Sequence, residues 1–348
     1  MNKLSLTVMA FSLFGLLCCR AQDGDMATAA FAGAMESTPA IRLVDVRTAD
    51  EFAEGHLRGA VNMDYFAQDF VSQVQQAFDT AEPVYVYCRS GRRSADAARQ
   101  LKEAGFKVYN MLGGYEAWTK EGREVTKYEV ERFATKSGKL LEITLIKHGS
   151  VEIRFQGRSY QFDPVTGLSK PTDFTAEFPK ADAILVTHEH GDHLDVNAIE
   201  QLSGVETLLL LNEKSRAQIG KGEAIGNGQL RELPGGILLE AVPAYNTTPG
   251  REMFHPKGNG NGYVVTFDGL RIYIAGDTED VPEMAALKDI DIAFLPVNQP
   301  YTMTVEQCIA AAKVIKPRIL IPYHFSQTDL SGLPAALPGI DVRLRQMQ

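Results

Sequence analysis

The sequence predicts an α/β protein of two domains, and three observations carry that expectation. Short apolar runs of strand length alternate with helical patterns along most of the chain. The chain has 348 residues, about twice the roughly 150 of a typical domain. Chemistry-bearing residues concentrate where apolar strands end: a cysteine loop in the first third, then histidines and an aspartate at three strand ends in the remainder.

Composition narrows the class further. At 45% hydrophobic, 23% charged and 9% aromatic residues the chain is an ordinary globular protein, far from disordered or collagen-like extremes. Against 35 Lys+Arg stand 44 Asp+Glu, and the net charge of −9 offers no cationic footprint for phosphate backbones, so nucleic acid is not an expected partner. Four cysteines, at positions 18, 19, 88 and 308, make neither a disulfide framework nor a CxxC metal knuckle.

In chain order, the first twenty residues address the protein rather than fold it. Asn2-Lys3 leads into an apolar run over residues 4–19, too short to cross a bilayer comfortably and right for a signal-peptide core. The ending Leu16-Leu17-Cys18-Cys19 resembles a bacterial lipobox, which implies a lipidated Cys19 and membrane attachment through it; Cys18 stands where Gly, Ala or Ser is usual. Cleavage after Ala21 without lipid is the alternative. Either route exports the protein, so residues 1–21 are expected to be a signal peptide or lipoprotein signal and the location periplasmic or cell-envelope.

Residues 25–128 are expected to form the first domain. Ile41-Arg42-Leu43-Val44-Asp45-Val46-Arg47 reads as a strand ending in charge, and Thr48-Ala49-Asp50-Glu51-Phe52 as a helix start. A second strand, Val84-Tyr85-Val86-Tyr87, runs into Cys88-Arg89-Ser90-Gly91-Arg92-Arg93, and residues 94–101 read as a helix closed near Gly105. This unit presents the Cys88 thiol beside three arginines and a helix N-terminus, where N–H groups and the helix dipole favour a thiolate or a bound oxyanion. A buried cysteine acting as a small hydrophobe is the plainer alternative, disfavoured by so many arginines.

Asp45-Val46-Arg47, Glu51-Phe52, Gly55-His56, Gly59-Ala60-Val61-Asn62, the loop at 88–93, and Gly113-Gly114-Tyr115 with Trp118, in that order, resemble a single rhodanese domain. The resemblance implies an α/β/α fold, a persulfide on Cys88 wrapped by residues 89–93 with Arg89 and Arg93 in the site, and a sulfur donor such as thiosulfate or a persulfide. The six-residue loop has the length typical of sulfurtransferases, whereas related arsenate and phosphotyrosine-type phosphatases use one residue more. Gly55-His56-Leu57 matches the family's structural turn, and His56 is expected to be structural.

Residues 128–138 lack a clean apolar period and are expected to be the linker to a second domain over residues 139–348. Two hairpins are expected there: Val151-Glu152-Ile153-Arg154-Phe155 returning through Gln156-Gly157, and residues 262–267 returning through Asp268-Gly269. Helices are expected at 195–202 and at 305–315, the latter stopped by Pro317.

The apolar strand Ala183-Ile184-Leu185-Val186 runs into Thr187-His188-Glu189-His190-Gly191-Asp192-His193, three imidazoles and a carboxylate within six residues. These are ligand types that zinc, iron and manganese accept, and a tight turn lets alternating residues face one ion while Asp192-His193 face another. Two further strands end in Gly276-Asp277 and in Pro322-Tyr323-His324, and all three ends can converge on one sheet edge. Alone, Asp277 would read as a turn or cap residue and His324 as a surface histidine.

Together, His188-x-His190-x-Asp192-His193, Gly276-Asp277 and Pro322-Tyr323-His324 resemble the metallo-β-lactamase-fold hydrolases over residues 140–348. Phe162-Asp163-Pro164 and His255-Pro256-Lys257-Gly258 resemble the ascorbate-6-phosphate lactonase-like branch more than the antibiotic-degrading one. The resemblance implies an αββα sandwich with two divalent metal ions, zinc first and manganese or iron as alternatives. It places His188 and His190 on the first ion, Asp192, His193 and His324 on the second, and Asp277 on both, with metal-activated water as nucleophile and Asp192 also counted at the catalytic centre.

Many members place another histidine at the end of the strand that here reads Ala241-Val242-Pro243-Ala244-Tyr245-Asn246. His255, nine residues on, is open to three readings: substitute ligand, substrate binder or exposed side chain. The Gly-rich stretch at 258–262 is expected to be a flexible loop, and His148 and Cys308 are expected to be structural.

The expected function is that of an exported two-domain enzyme, a metal-dependent hydrolase of an ester, lactone, amide or phosphodiester in a small-molecule substrate, joined to a sulfurtransferase. Two rivals stay open. One is a single-iron persulfide dioxygenase coupled to the rhodanese, although fusions of that kind resemble the glyoxalase branch and carry the rhodanese last. The other is a hydrolase whose rhodanese only docks a redox partner. The substrate is not legible, because this fold varies its loops around a similar metal edge.

Overall fold

The computed structural model describes residues 24–168 and 170–347; the segment expected to direct export, with Cys18 and Cys19, lies outside the described residues. Among the described residues no helix is long and apolar enough to cross a membrane.

The N-terminal domain runs β1 (Asp25–Met26), α1 (Thr28–Ser37), β2 (Arg42–Asp45), α2 (Ala49–Glu54), β3 (Val61–Asn62), α3 (Phe70–Ala77), β4 (Val84–Tyr87), α4 (Arg92–Glu103), β5 (Val108–Met111) and α5 (Gly114–Lys120). Its five strands pair in parallel in the order β1-β5-β4-β2-β3. Central β4 is buried on both faces: Val84 and Val86 enter one apolar cluster, Tyr85 and Tyr87 the other. That explains its unbroken apolar run, which parallel sheets covered by helices require. Thr48 and Glu51 form a reciprocal cap at the start of α2.

The C-terminal domain stacks two seven-stranded sheets, each in chain order. The first holds β6 (Glu129–Ala134), β7 (Leu140–Lys147), β8 (Ser150–Phe155), β9 (Arg158–Phe162), β10 (Ala181–Val186), β11 (Ser203–Leu211) and β12 (Glu223–Ala224), with α6 (Phe174–Glu177), α7 (Val196–Leu202) and α8 (Glu213–Ile219). The second holds β13 (Leu230–Leu233), β14 (Ile237–Ala244), β15 (Gly260–Phe267), β16 (Leu270–Ile274), β17 (Ile292–Pro296), β18 (Ile319–Tyr323) and β19 (Asp341–Val342), with α9 (Val305–Ile315) and α10 (Leu333–Ala336). Side chains from both sheets, among them Ile153, Leu185, Leu239 and Phe294, fill one shared core. Helices α6 and α7 cover the first sheet and α9 and α10 the second, which is the expected αββα layering. Both expected hairpins form, their turn pairs Gln156-Gly157 and Asp268-Gly269 at positive φ as tight hairpin turns demand.

Two expectations need correction. The stretch at 128–138 is not a linker: β6 pairs antiparallel with β7 from Glu129 opposite Leu145 to Ala134 opposite Leu140. Its polar residues hide the strand pattern because Glu131, although buried, is matched by Arg343 and Arg345. Nor is 258–262 all loop, since β15 begins at Gly260, and a Cβ on Gly260 or Gly262 would come within 2.8 Å of the neighbouring strands' carbonyls.

The domains pack through buried polar groups. Arg58 donates to Glu142 at 3.1 Å and to Thr144 at 2.9 Å, while Arg132 pairs with Glu142 and donates to the carbonyls of Met35 and Pro39. Removing one partner of such a network leaves a buried charge uncompensated. His56 bridges the same junction, its ring nitrogens 3.0 Å from the Phe52 carbonyl and 3.1 Å from that of Tyr128, so its role is structural as expected.

Candidate metal centre and cysteine loop

Strands β10 of the first sheet and β16 and β18 of the second, with β17 between them, end at one edge of the sandwich. Beyond β10 the turn carries His188, His190, Asp192 and His193; beyond β16 comes Asp277; beyond β18 comes His324. Asp277 Oδ1 lies 3.3 Å from His193 Nε2, and its Oδ2 lies 3.3 Å from His324 Nε2 and 3.8 Å from His188 Nε2. Asp192 Oδ2 stands 3.7 Å from His324 Nε2 and 3.9 Å from His193 Nε2. Every metal-ligand residue expected from the sequence is therefore brought together.

His255 lies where the first donor set lacks a third imidazole. Its Nε2 lies 3.2 Å from His190 Nδ1 and 3.2 Å from Asp277 Oδ2, and His190 Nδ1 is 3.1 Å from His188 Nε2. The imidazole is 5% exposed, so the exposed reading fails. Asn246, at the strand end where the family's histidine is expected, instead donates its N–H to the His255 carbonyl at 2.9 Å and holds that loop in place.

The buried atoms fit a metal. His193 Nε2, Asp277 Oδ1 and His324 Nε2 are buried without a hydrogen-bond partner, a costly state for polar atoms unless a cation takes their lone pairs. Outer hydrogen bonds also fix the rings. His193 Nδ1 donates to Asp163 at 2.7 Å, and His255 Nδ1 to the Tyr301 carbonyl at 3.1 Å. His188 Nδ1 donates to Thr187 Oγ1 at 2.9 Å, which in turn donates to Asp163 at 2.7 Å. In all three the Nε2 lone pair is left facing the centre, the arrangement metal-binding histidines use. Imidazole and carboxylate together suit borderline divalent ions.

Electrostatics agree. Burial works against ionising Asp277, but His324 and His193 outweigh it and hold the carboxyl well below its usual range. Burial works to lower the His324 pKa, but Asp277 and Asp192 raise it to about 9. His188, fully buried, is pushed down and kept neutral. The metal-free cluster thus draws protons to offset its carboxylates, and an incoming cation would displace them.

Two contributors escape a motif reading. Asp163 is fully buried at φ 43° and serves Thr187 and His193 at once; the sequence shows it only as part of Phe162-Asp163-Pro164. His148, expected to be structural, places its Nε2 3.1 Å from Asp192 Oδ2 and joins Asp192, His193 and His324 in one potential ligand group. Cys308, by contrast, is buried on α9 and its thiol is pushed up to about 12 by burial, as befits a packing residue.

The cysteine loop is local by comparison. Cys88 directly follows β4, is 1% exposed, and its Sγ lies 3.4 Å from Ser94 Oγ. Gly91 at φ 89° turns the chain into α4, and among the described residues nothing accepts from the amides of residues 89–94. Gly114 lets α5 seat the loop: a Cβ there would fall 2.4 Å from the Cys88 carbonyl, which accepts from Tyr115 N–H at 2.8 Å. Fewer free cations surround the thiol than the sequence implies. Arg93 donates twice to Glu51, at 2.7 and 2.8 Å, and holds that carboxyl down at about 2; Arg89 pairs with Glu116 at 2.7 Å; Arg92 is exposed.

Comparison with known proteins agrees with this geometry. Residues 28–121 match the family model of the rhodanese-like domain and residues 142–324 that of the beta-lactamase superfamily domain. A UPF0173 metal-dependent hydrolase of Pyrococcus furiosus is 31% identical over 199 residues, 54% of this chain and 85% of that one. A solved protein of Parabacteroides distasonis, assigned to the metal-dependent hydrolases, is 55% identical with a TM-score of 0.61, covering 64% of this chain and 100% of that one. A metallo hydrolase of Ignicoccus hospitalis shares the fold at 22% identity and a TM-score of 0.50, over 60% of this chain and 95% of that one. These relatives do not single out the ascorbate-6-phosphate lactonase-like branch.

Proposed function

The chain belongs to the beta-lactamase superfamily, as a metal-dependent hydrolase with a rhodanese-like domain, and on that premise we propose that it cleaves an ester, lactone, amide or phosphodiester bond in a small molecule at two divalent ions. The observation that carries this reading is Asp277, whose Oδ2 lies 3.2 Å from His255 Nε2 and 3.3 Å from His324 Nε2 and whose Oδ1 lies 3.3 Å from His193 Nε2, so that one carboxylate touches both donor sets. His188, His190 and His255 would hold the first ion, Asp192, His193 and His324 the second, with Asp277 shared. Zinc leads, with manganese or iron as alternatives; such ions supply Lewis-acid polarisation of the scissile group and make bound water more acidic. The chain's own part is to pre-aim the donors: Asp163, Thr187 and the Tyr301 carbonyl lock three rings before anything binds.

For the rhodanese-like domain we propose sulfur transfer. The Cys88 thiolate would attack the outer sulfur of a donor such as thiosulfate, forming a new S–S bond as the donor's S–S bond breaks and sulfite leaves with the electron pair. The persulfide anion would sit against the open amides of the loop, then yield its outer sulfur to an acceptor thiolate. Residues 1–21 would export the chain with Cys19 as lipid anchor; lipid incorporation should vanish in Cys19→Ala and persist in Cys18→Ala.

A hydrolase substrate panel and a thiosulfate assay, run on the wild type, His190→Ala and Cys88→Ser, test both activities. Hydrolysis should be lost only in His190→Ala, and the gain of one sulfur atom from thiosulfate only in Cys88→Ser. If neither substitution changes any activity, the reading fails.

A further inference from the structure

We infer that His148 is a positioning residue of the metal centre, the group that holds Asp192 ready for the second ion; this rests on the two-ion reading above. His148 lies in the turn between β7 and β8, outside every motif that marks the centre. Its Nε2–H points at Asp192 Oδ2 from 3.1 Å, and its ring lies against His324 with centroids 3.6 Å apart. Its carbonyl accepts from His324 N–H at 3.1 Å, so the same residue touches two members of the second donor set.

Asp192 needs such a partner. Unlike Asp277, which is buried among imidazoles, the Asp192 side chain is 36% exposed and follows Gly191 on an open turn. Among the described residues His148 alone hydrogen-bonds its carboxylate, since His324 and His193 stand at 3.7 and 3.9 Å. Without that bond the carboxylate could rotate into water, and binding would have to order it. A hydrogen bond from outside the donor set is the usual way a ligating carboxylate is held.

The backbone supports the inference. His148 sits at φ 47°, left-handed territory where a side chain costs stability and where turn chemistry favours glycine or asparagine. The next residue, Gly149, packs so closely on the His193 ring that a Cβ there would fall 2.8 Å from its Cε1, so the turn is built against the second donor set. Strain kept at a residue whose ring reaches a ligand points to a role beyond the turn.

The test is titration of the full metal-free chain with zinc against a chromophoric chelator, beside a denaturation curve of the same metal-free protein. The wild type should take two ions. His148→Gly removes the ring and relieves the backbone, so its metal-free form should unfold at no lower denaturant concentration, yet the second ion should bind roughly 10- to 100-fold more weakly with the first unchanged. His148→Gln, whose amide can donate in place of Nε2–H, should recover most of that affinity. A His148→Gly chain that binds the second ion as tightly as the wild type overturns the inference. So does a His148→Gln chain as weak as His148→Gly, or a metal-free His148→Gly that unfolds earlier, which would make the loss structural. A wild type that binds a single ion overturns the two-ion reading itself, and the control separates that failure from the others.

Discussion

The cysteine loop and the metal centre occupy equivalent places, at the carboxyl ends of central strands, but are assembled in opposite ways. The loop draws its anion-seeking amides from consecutive residues between β4 and α4, so the geometry of one turn defines it. The metal centre gathers candidate donors from segments as distant as His188 and His324, and its geometry exists only while two sheets face each other. A contiguous site should therefore fail one residue at a time, whereas a dispersed one should fail through its shared member.

The largest effect is expected at that member: Asp277→Asn should abolish hydrolysis and leave sulfur uptake by Cys88 intact, and loss of both would mean the two sites are not independent. Cys88→Ser should be the mirror image, silencing sulfur transfer while metal content by elemental analysis stays at the wild-type level. His255→Ala should cost one ion per chain rather than two; retention of both ions would remove His255 from the first set. Gly149→Ala should be milder, about 1–3 kcal/mol of overpacking against His193, read as a lower denaturation midpoint and weaker binding of the second ion. Smallest of all, Glu116→Gln at the rim of the cysteine loop breaks an exposed pair with Arg89 worth less than about 1 kcal/mol, and a stability curve should barely register it.

The same contrast governs what the sequence reveals. The cysteine loop is readable because its chemistry is contiguous, as is the His188 to His193 turn. Asp277 and His324 are readable because each follows an apolar strand, β16 and β18. His148 and Asp163 are not, because each matters only through a partner on another strand: His148 through Asp192, Asp163 through His193. The first strand of the metal domain is hidden for a related reason, since Glu131 is buried against arginines more than two hundred residues later in the chain. Local pattern therefore conveys both domains and most candidate ligands, and what it omits is the layer of cross-strand polar pairs that aims them.

In the proposed centre Asp277 joins two donor sets, each for one divalent ion. Elemental analysis of the full chain, purified without chelators, tests it most directly. Two divalent ions per wild-type chain and fewer than one in Asp277→Asn are expected; a single ion in the wild type, or two ions surviving in Asp277→Asn, would rule out a shared Asp277.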